Sequence, residues 1–193
     1  MKTGLILASA SPRRKELLEM AGLDFEVIPA GIDESFRDGE TPYEHVLRLS
    51  REKARAVAGA HPEAWVLGAD TIVLVNGEVL GKPGTKREAK AMLGKLSGRE
   101  HRVVTGFTLL KDGGATAATE AVESVVVFKK LTPDEIEWYA GTDEPYDKAG
   151  GYAAQGKGAS LIKEIRGSYT NVVGLPLCEV MEALKTVGAA KVC

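Results

Sequence analysis

Apolar residues follow two rhythms along this chain. Apolar-rich runs predict strands over 5–8, 25–29, 65–69, 71–75, 103–110, 122–128 and 160–165. Apolar residues spaced three and four apart predict helices over 12–21, 42–58, 86–96, 133–140 and 176–187. The helix over 86–96 gathers Ala89, Met92, Leu93 and Leu96 on one face; that over 176–187 gathers Leu177, Val180, Met181 and Leu184. Gly22, Gly98, Gly141 and Gly188 stand where helix ends favour a left-handed residue. Asn76-Gly77 signals a tight hairpin and Asp112-Gly113-Gly114 a second turn. Strands and helices alternate early, and β-rich sequence dominates from 100 to 130. The pattern is α/β: a central mixed sheet flanked by helices.

The helix starts are informative. Thr41-Pro42-Tyr43-Glu44, Thr85-Lys86-Arg87-Glu88 and Thr132-Pro133-Asp134-Glu135 each read as a capping box. The first helix departs from this. Ser11 is its N-cap candidate and Pro12 its first residue, but Arg13, Arg14 and Lys15 follow directly. A helix N-terminus already carries about half a positive charge, so three cations there are unfavourable alone. They become sensible if an anion docks on the free backbone N–H groups and the guanidinium forks. The alternative is that these side chains simply extend into solvent.

Other polar residues interrupt apolar surroundings. Asp70 breaks the run from Trp65 to Val75, with Gly68 and Ala69 leaving room beside it. An unpaired carboxylate there is costly. It reads either as the cap of a strand-end turn or as a carboxylate at a strand's carboxyl end, where open α/β sheets hold ligands. Lys53 shares a helical face with Val46, Ser50 and Val57, and a lysine facing inward needs an anionic partner. Gly81 and Pro83 fix the backbone around Lys82. Asp33 and Glu34 add acid in the loop after the second strand. The tract from Asp147 to Gly158 carries four of its glycines at 150, 151, 156 and 158 and reads as a loop that lets backbone approach a ligand, or as a plain surface loop. Gln155 within it offers a donor and an acceptor, which suits a base edge. The tract is neither a P-loop nor a dinucleotide fingerprint, since it lacks Gly-Lys-Ser/Thr and opens no helix.

Composition narrows the picture. The chain has 193 residues, 44% hydrophobic and 27% charged, which suits one soluble domain over 1–193. A net charge of −2 provides no global field for nucleic acid or an anionic membrane, so neither is an expected partner. Cys178 and Cys193 form no disulfide framework, no apolar run approaches the ~20 residues of a membrane span, and the N-terminus lacks a signal layout. A cytoplasmic location is expected.

Taken together the motifs resemble the Maf family of nucleotide pyrophosphatases, almost end to end. The resemblance is carried by Ser9-Ala10-Ser11-Pro12-Arg13-Arg14, Arg51-Glu52-Lys53-Ala54, Gly68-Ala69-Asp70-Thr71-Ile72-Val73, Gly81-Lys82-Pro83 and Thr105-Gly106. It continues in Asp147-Lys148-Ala149-Gly150, Gln155-Gly156 and Val173-Gly174-Leu175-Pro176-Leu177. It implies a strongly curved mixed sheet with an active-site cleft, as in inosine-triphosphate pyrophosphatases. It implies cleavage of a nucleoside triphosphate between its α- and β-phosphates with a divalent cation, Mg²⁺ or Mn²⁺. In the subgroup acting on dTTP and UTP the specificity positions match Arg13, Thr71 and Gln155; the subgroup acting on 7-methyl-GTP carries an aromatic residue, a Gln and a Glu there. The phosphate-binding set is then Ser9, Arg14, Lys53 and Lys82. Asp70 activates water, and Glu34 shares the metal with Asp70. The resemblance leaves room for a homodimer.

The residue types agree with this chemistry. A triphosphate carries roughly four negative charges, and its hydrolysis gains mainly from positioning and charge stabilisation. Two other readings stay open: a phosphatase acting on another anion, and a nucleotide-binding regulatory module of cell division without turnover. A pure binder needs the cations but not Asp70.

Overall fold

The computed structural model describes residues 4–189, so Cys193 lies outside the described residues. Among the described residues seven strands form one sheet, in the order β2-β1-β3-β5-β6-β7 with β4 paired to β3. The strands are β1 (Leu5–Leu7), β2 (Phe25–Val27), β3 (Trp65–Val75), β4 (Glu78–Leu80), β5 (Glu100–Lys111), β6 (Ala115–Phe128) and β7 (Ile162–Arg166). The helices are α1 (Pro12–Met20), α2 (Pro42–Ala58), α3 (Lys86–Leu96), α4 (Pro133–Ala140), α5 (Tyr169–Val173) and α6 (Leu177–Thr186). Parallel β1/β2 and β1/β3 pairs coexist with antiparallel β3/β4 and β6/β7 pairs, so the sheet is mixed, as expected.

The chain forms two compact units. One contains residues 4–70, 105–122 and 174–189; the other contains 71–104 and 123–173. Neither is one continuous stretch.

In the first unit β1 is buried along its length and pairs in parallel with both β2 and β3. Its position inside the sheet, between two strands, suits its wholly apolar sequence. Helix α2 opens with a complete Thr41–Glu44 capping box and buries His45, Val46, Leu49, Ser50, Lys53, Ala54, Val57 and Ala58. Its backbone comes very close to the sheet at two glycines. A Cβ on Gly68 would lie 2.2 Å from the Ser50 carbonyl oxygen, and one on Gly106 would lie 2.5 Å from that of Val46. The room that Gly68 leaves is thus filled by α2 backbone. Ile6, Ala8, Ala54, Val57, Val66 and Leu110 form the adjoining core.

In the second unit, α3 and α4 enclose a core of Val73, Leu80, Leu93, Leu96, Phe128, Tyr139, Tyr152 and Leu161, among others. Asn76 and Gly77 both have positive φ, 50° and 81°, and make the tight turn from β3 to β4.

The structure corrects several expectations. Residues 65–75 form one strand, not two, and Asp70 sits in its middle. β1 pairs with its first residues, Trp65 to Leu67, and β4 with its last, Val73 to Val75, on either side of Asp70. The Thr85 box is only half made: its hydroxyl accepts from Glu88 N, but the Glu88 carboxylate turns to Gly84 N at 2.7 Å. Ser11 holds the N-cap position of α1 without a side-chain cap, and its N–H instead donates to Ser9 Oγ at 3.2 Å. Gly141 ends α4 in a right-handed conformation, with φ −84°. The glycine tract is not a plain surface loop. It folds into short 3₁₀ turns at Glu144–Asp147, Ala149–Gly151 and Gly156–Leu161 and buries Gly150, Gly151, Tyr152, Ala153 and Gly158.

Candidate active site

The first unit gathers most of the expected residues. Lys53 projects from the buried face of α2 and its Nζ lies 2.7 Å from Asp70 Oδ1 and 2.6 Å from Glu34 Oε1. Lys53 and Asp70 are 6% and 7% exposed, so the pair is held out of bulk water. This resolves the question posed by Asp70. It is neither a turn cap nor an unpaired charge, because the lysine satisfies it in mid-strand. The lysine arrives there because Gly68 lets α2 lie against β3 at backbone contact distance.

Arg14 is buried beside this pair. Its Nε donates to the Gly174 carbonyl at 2.8 Å, and Nη1 donates to Ser9 Oγ at 3.1 Å and the Ala69 carbonyl at 2.8 Å. Burial pulls its pKa below the ordinary arginine value; Asp70 and Glu34 work against that, and Arg13 adds to it. A guanidinium remains charged through such shifts. The geometry therefore ties the α1 N-terminus, the middle of β3 and the start of the 174–189 segment to one fixed cation. Arg13, one residue earlier, is half-buried.

Glu34 sits on an irregular loop that is braced from α2. Asp33 accepts from Ser35 N at 2.9 Å and Ser35 Oγ at 2.8 Å, a local turn that holds its carboxyl below the usual range. Arg48 forks onto Glu40, Nε to Oε1 at 2.5 Å and Nη2 to Oε2 at 2.7 Å, and also donates to the Ser35 carbonyl at 3.0 Å. The Arg48 hydrogen bonds depress the Glu40 carboxyl to about 2, against a burial cost. The His45 ring stacks on Phe36 with centroids 3.5 Å apart. Sequence reasoning missed this brace. Its signal is an arginine on the same side of α2 as Glu52, one turn before it, facing a loop rich in acid.

The other expected residues belong to the second unit. Thr71 follows Asp70 on β3 and points to the opposite side of the pleat. Lys82 is exposed, and its backbone is fixed as the flanking Gly and Pro suggested. Gly150 N donates to the Gly81 carbonyl at 3.0 Å, and Gly151 packs so closely that a Cβ there would sit 3.3 Å from Pro83 Cγ. Gln155 is exposed at the head of the last 3₁₀ turn. The nearby Tyr139–Glu144 hydrogen bond was also missed; a tyrosine on the buried face of a helix needs a hydroxyl partner, which is its sequence signal.

The family described as Maf-like protein matches residues 4–187. The chain belongs to the Maf family. Among curated Maf relatives, a dTTP/UTP pyrophosphatase of Syntrophus aciditrophicus is 60% identical over 185 residues, covering 96% of this chain and 90% of that protein. One of Citrifermentans bemidjiense is 54% identical over 187 residues, covering 97% of each. Among solved structures, a HAM1 protein from Coxiella burnetii aligns over 96% of this Maf chain and 98% of its own, at 17% identity and a TM-score of 0.48.

Two carboxylates of this Maf chain, Asp70 and Glu34, converge within hydrogen-bond distance of one cationic atom. Among the described residues no set of three or more His, Cys, Asp or Glu side chains could hold a metal ion. A pair of hard oxygen donors suits Mg²⁺, which commonly takes one or two protein carboxylates and completes its shell with water and phosphate oxygens. No helix among the described residues is long and apolar enough to cross a membrane.

Proposed function

We propose that this chain hydrolyses dTTP and UTP to the nucleoside monophosphate and pyrophosphate. The reading is carried by the buried Lys53 bridged to Asp70 and Glu34 beside Arg14. It is supported by Maf relatives named dTTP/UTP pyrophosphatase at 50–60% identity over nearly the whole chain.

In this mechanism Asp70 is the general base. Lys53 occupies one of its oxygens, Oδ1, and so orients the carboxylate. Asp70 takes a proton from water, the water oxygen forms a bond to phosphorus, and the α–β bridging P–O bond breaks, its electron pair leaving on a phosphate oxygen. Asp70 and Glu34 would hold Mg²⁺ or Mn²⁺, which supplies charge neutralisation and lowers the pKa of bound water. Lys53, Lys82, Arg14 and Ser9 form the phosphate-binding set, with Arg14 acting mainly as a fixed charge because its donors also serve Gly174, Ala69 and Ser9. Arg13, Thr71 and Gln155 read the pyrimidine. The Gln155 amide can pair with the adjacent acceptor and donor at the O4/N3 edge. The substrate is then a soluble nucleotide acted on in the cytoplasm.

The test is product analysis of purified protein with Mg²⁺ or Mn²⁺. Pyrophosphate together with dTMP or UMP is the expected result. Release of orthophosphate and UDP from UTP overturns the reaction, and binding of dTTP without turnover overturns catalysis.

A further inference from the structure

Gln155 is exposed, and an exposed glutamine reads a base only if its backbone is held. Two side chains hold it. Tyr139 is fully buried in α4, and its Oη accepts from Ala153 N at 2.9 Å while donating to Glu144 Oε2 at 3.1 Å. Glu144 Oε1 accepts from Lys157 N at 2.8 Å and Oε2 accepts from Gly158 N at 3.0 Å. The bonded amides bracket Gln155: Ala153 lies two residues before it and Lys157 two after. The packing leaves no slack. A Cβ on Gly156, where φ is +65°, would lie 2.5 Å from Glu144 Oε1, and one on Gly158 would lie 2.7 Å from Tyr139 Oη. Burial keeps the Tyr139 phenol above its ordinary pKa, so it stays a neutral donor. Burial opposes ionisation of Glu144, yet the amides of Lys157 and Gly158 and the Tyr139 hydroxyl hold its carboxyl below the usual range.

We infer that Tyr139 and Glu144 are positioning residues for pyrimidine selection, acting through Gln155 and not on the phosphate chemistry. This rests on Gln155 reading the base. The charge on Glu144 has a defined use: it accepts the backbone N–H groups of Lys157 and Gly158 at the start of a 3₁₀ turn. With Tyr139 it forms one hydrogen-bonded unit running from α4 to both flanks of Gln155. Loosening that unit lets Gln155 wander, which weakens discrimination between bases that differ only at their polar edge.

The test compares kcat/KM for dTTP and dCTP, whose bases differ in their donor and acceptor pattern, together with inhibition by inorganic pyrophosphate. The proteins are wild type, Gln155→Ala, Glu144→Gln, Tyr139→Phe and the Glu144→Gln/Gln155→Ala double variant. Gln155→Ala is expected to lower the dTTP/dCTP ratio by ~10-fold, the scale of one lost polar contact. Glu144→Gln and Tyr139→Phe should each lower it by several-fold, with pyrophosphate inhibition unchanged. In the Gln155→Ala background, Glu144→Gln should change the ratio no further. Tyr139→Phe keeps the buried ring and decides the matter alone if Glu144→Gln does not fold. A ratio lowered by Gln155→Ala but unmoved by Glu144→Gln and Tyr139→Phe overturns the positioning role. So does a double variant whose loss is the product of the single losses. A ratio unmoved by Gln155→Ala removes base reading from Gln155, and the positioning role falls with it.

Discussion

Lys53 faces two carboxylates at 2.6 and 2.7 Å, and that local excess of negative charge sets the character of the site. A lysine with one buried partner would be a structural ion pair. With two, these three groups carry one net negative charge, which the buried Arg14 beside them faces. Asp70→Asn keeps the volume and the contact to Lys53 but removes the proposed base. It is expected to lower kcat by ~10² or more while dTTP affinity stays within a few-fold, as measured by steady-state kinetics and equilibrium binding. A kcat within ~3-fold of wild type takes Asp70 out of the chemical step.

Element geometry decides whether these side chains meet. Helix α2 supplies Lys53 from its buried face and Arg48 to the loop that carries Glu34. Its approach to β3 depends on Gly68. Gly68→Ala would put a methyl 2.2 Å from a backbone oxygen that no rotamer change can move, so the helix must shift. Overpacking of this kind costs ~1–3 kcal/mol. A lowered Tm and a larger fractional loss of kcat than of dTTP binding are expected; unchanged values of both show that α2 tolerates displacement. The loop offers a second test. Arg48→Lys keeps a charge near Glu40 but loses the fork and the bond to the Ser35 carbonyl. Glu34 is then less well held, and kcat should fall ~3- to 10-fold with a raised requirement for Mg²⁺. Titration of activity with Mg²⁺ reads this directly, and a wild-type titration curve separates the brace from Glu34.

At the scale of the whole molecule, the acid limit of stability has a buried source. His101 is 2% exposed; its Nε2 lies 2.7 Å from Tyr152 Oη and its ring meets Phe128 and Tyr152 edge-on. Burial depresses its pKa from 6.5 to about 4. The folded state therefore favours the neutral ring. The unfolded chain takes up a proton first as pH falls below 6.5, so the associated stability is complete above that value and is lost between pH 6.5 and about 4. The full difference is about 3 kcal/mol. Denaturant unfolding at pH 7, 6, 5 and 4 should show this loss in wild type and a shallower one in His101→Gln. Parallel curves would assign the acid sensitivity to other groups. Glu40, held near 2, contributes in the window below that of the histidine.

Much of the architecture was legible before any coordinates, because it depends on local physics. Periodicity located α2, α3 and α4 at their observed bounds, and Asn76-Gly77 announced the hairpin that β4 completes. The candidate residues were legible for the same reason: cations at a helix start and a carboxylate in an apolar run contradict local preference wherever they stand. What remained hidden depended on partners far away in sequence. Asp70 does not interrupt β3, because neighbouring strands and Lys53 compensate for it. Residues 147–158 read as loop because glycine weakens local propensity, yet their glycines are what permit tight packing on Val73, Pro83 and Tyr139. Residue types and their order thus determined the elements and the chemistry the chain can offer. Only tertiary structure decided which charges touch, since a hydrogen bond between Lys53 and Asp70, or between Tyr139 and Glu144, is set by backbone approach within fractions of an ångström and not by either residue's own preference.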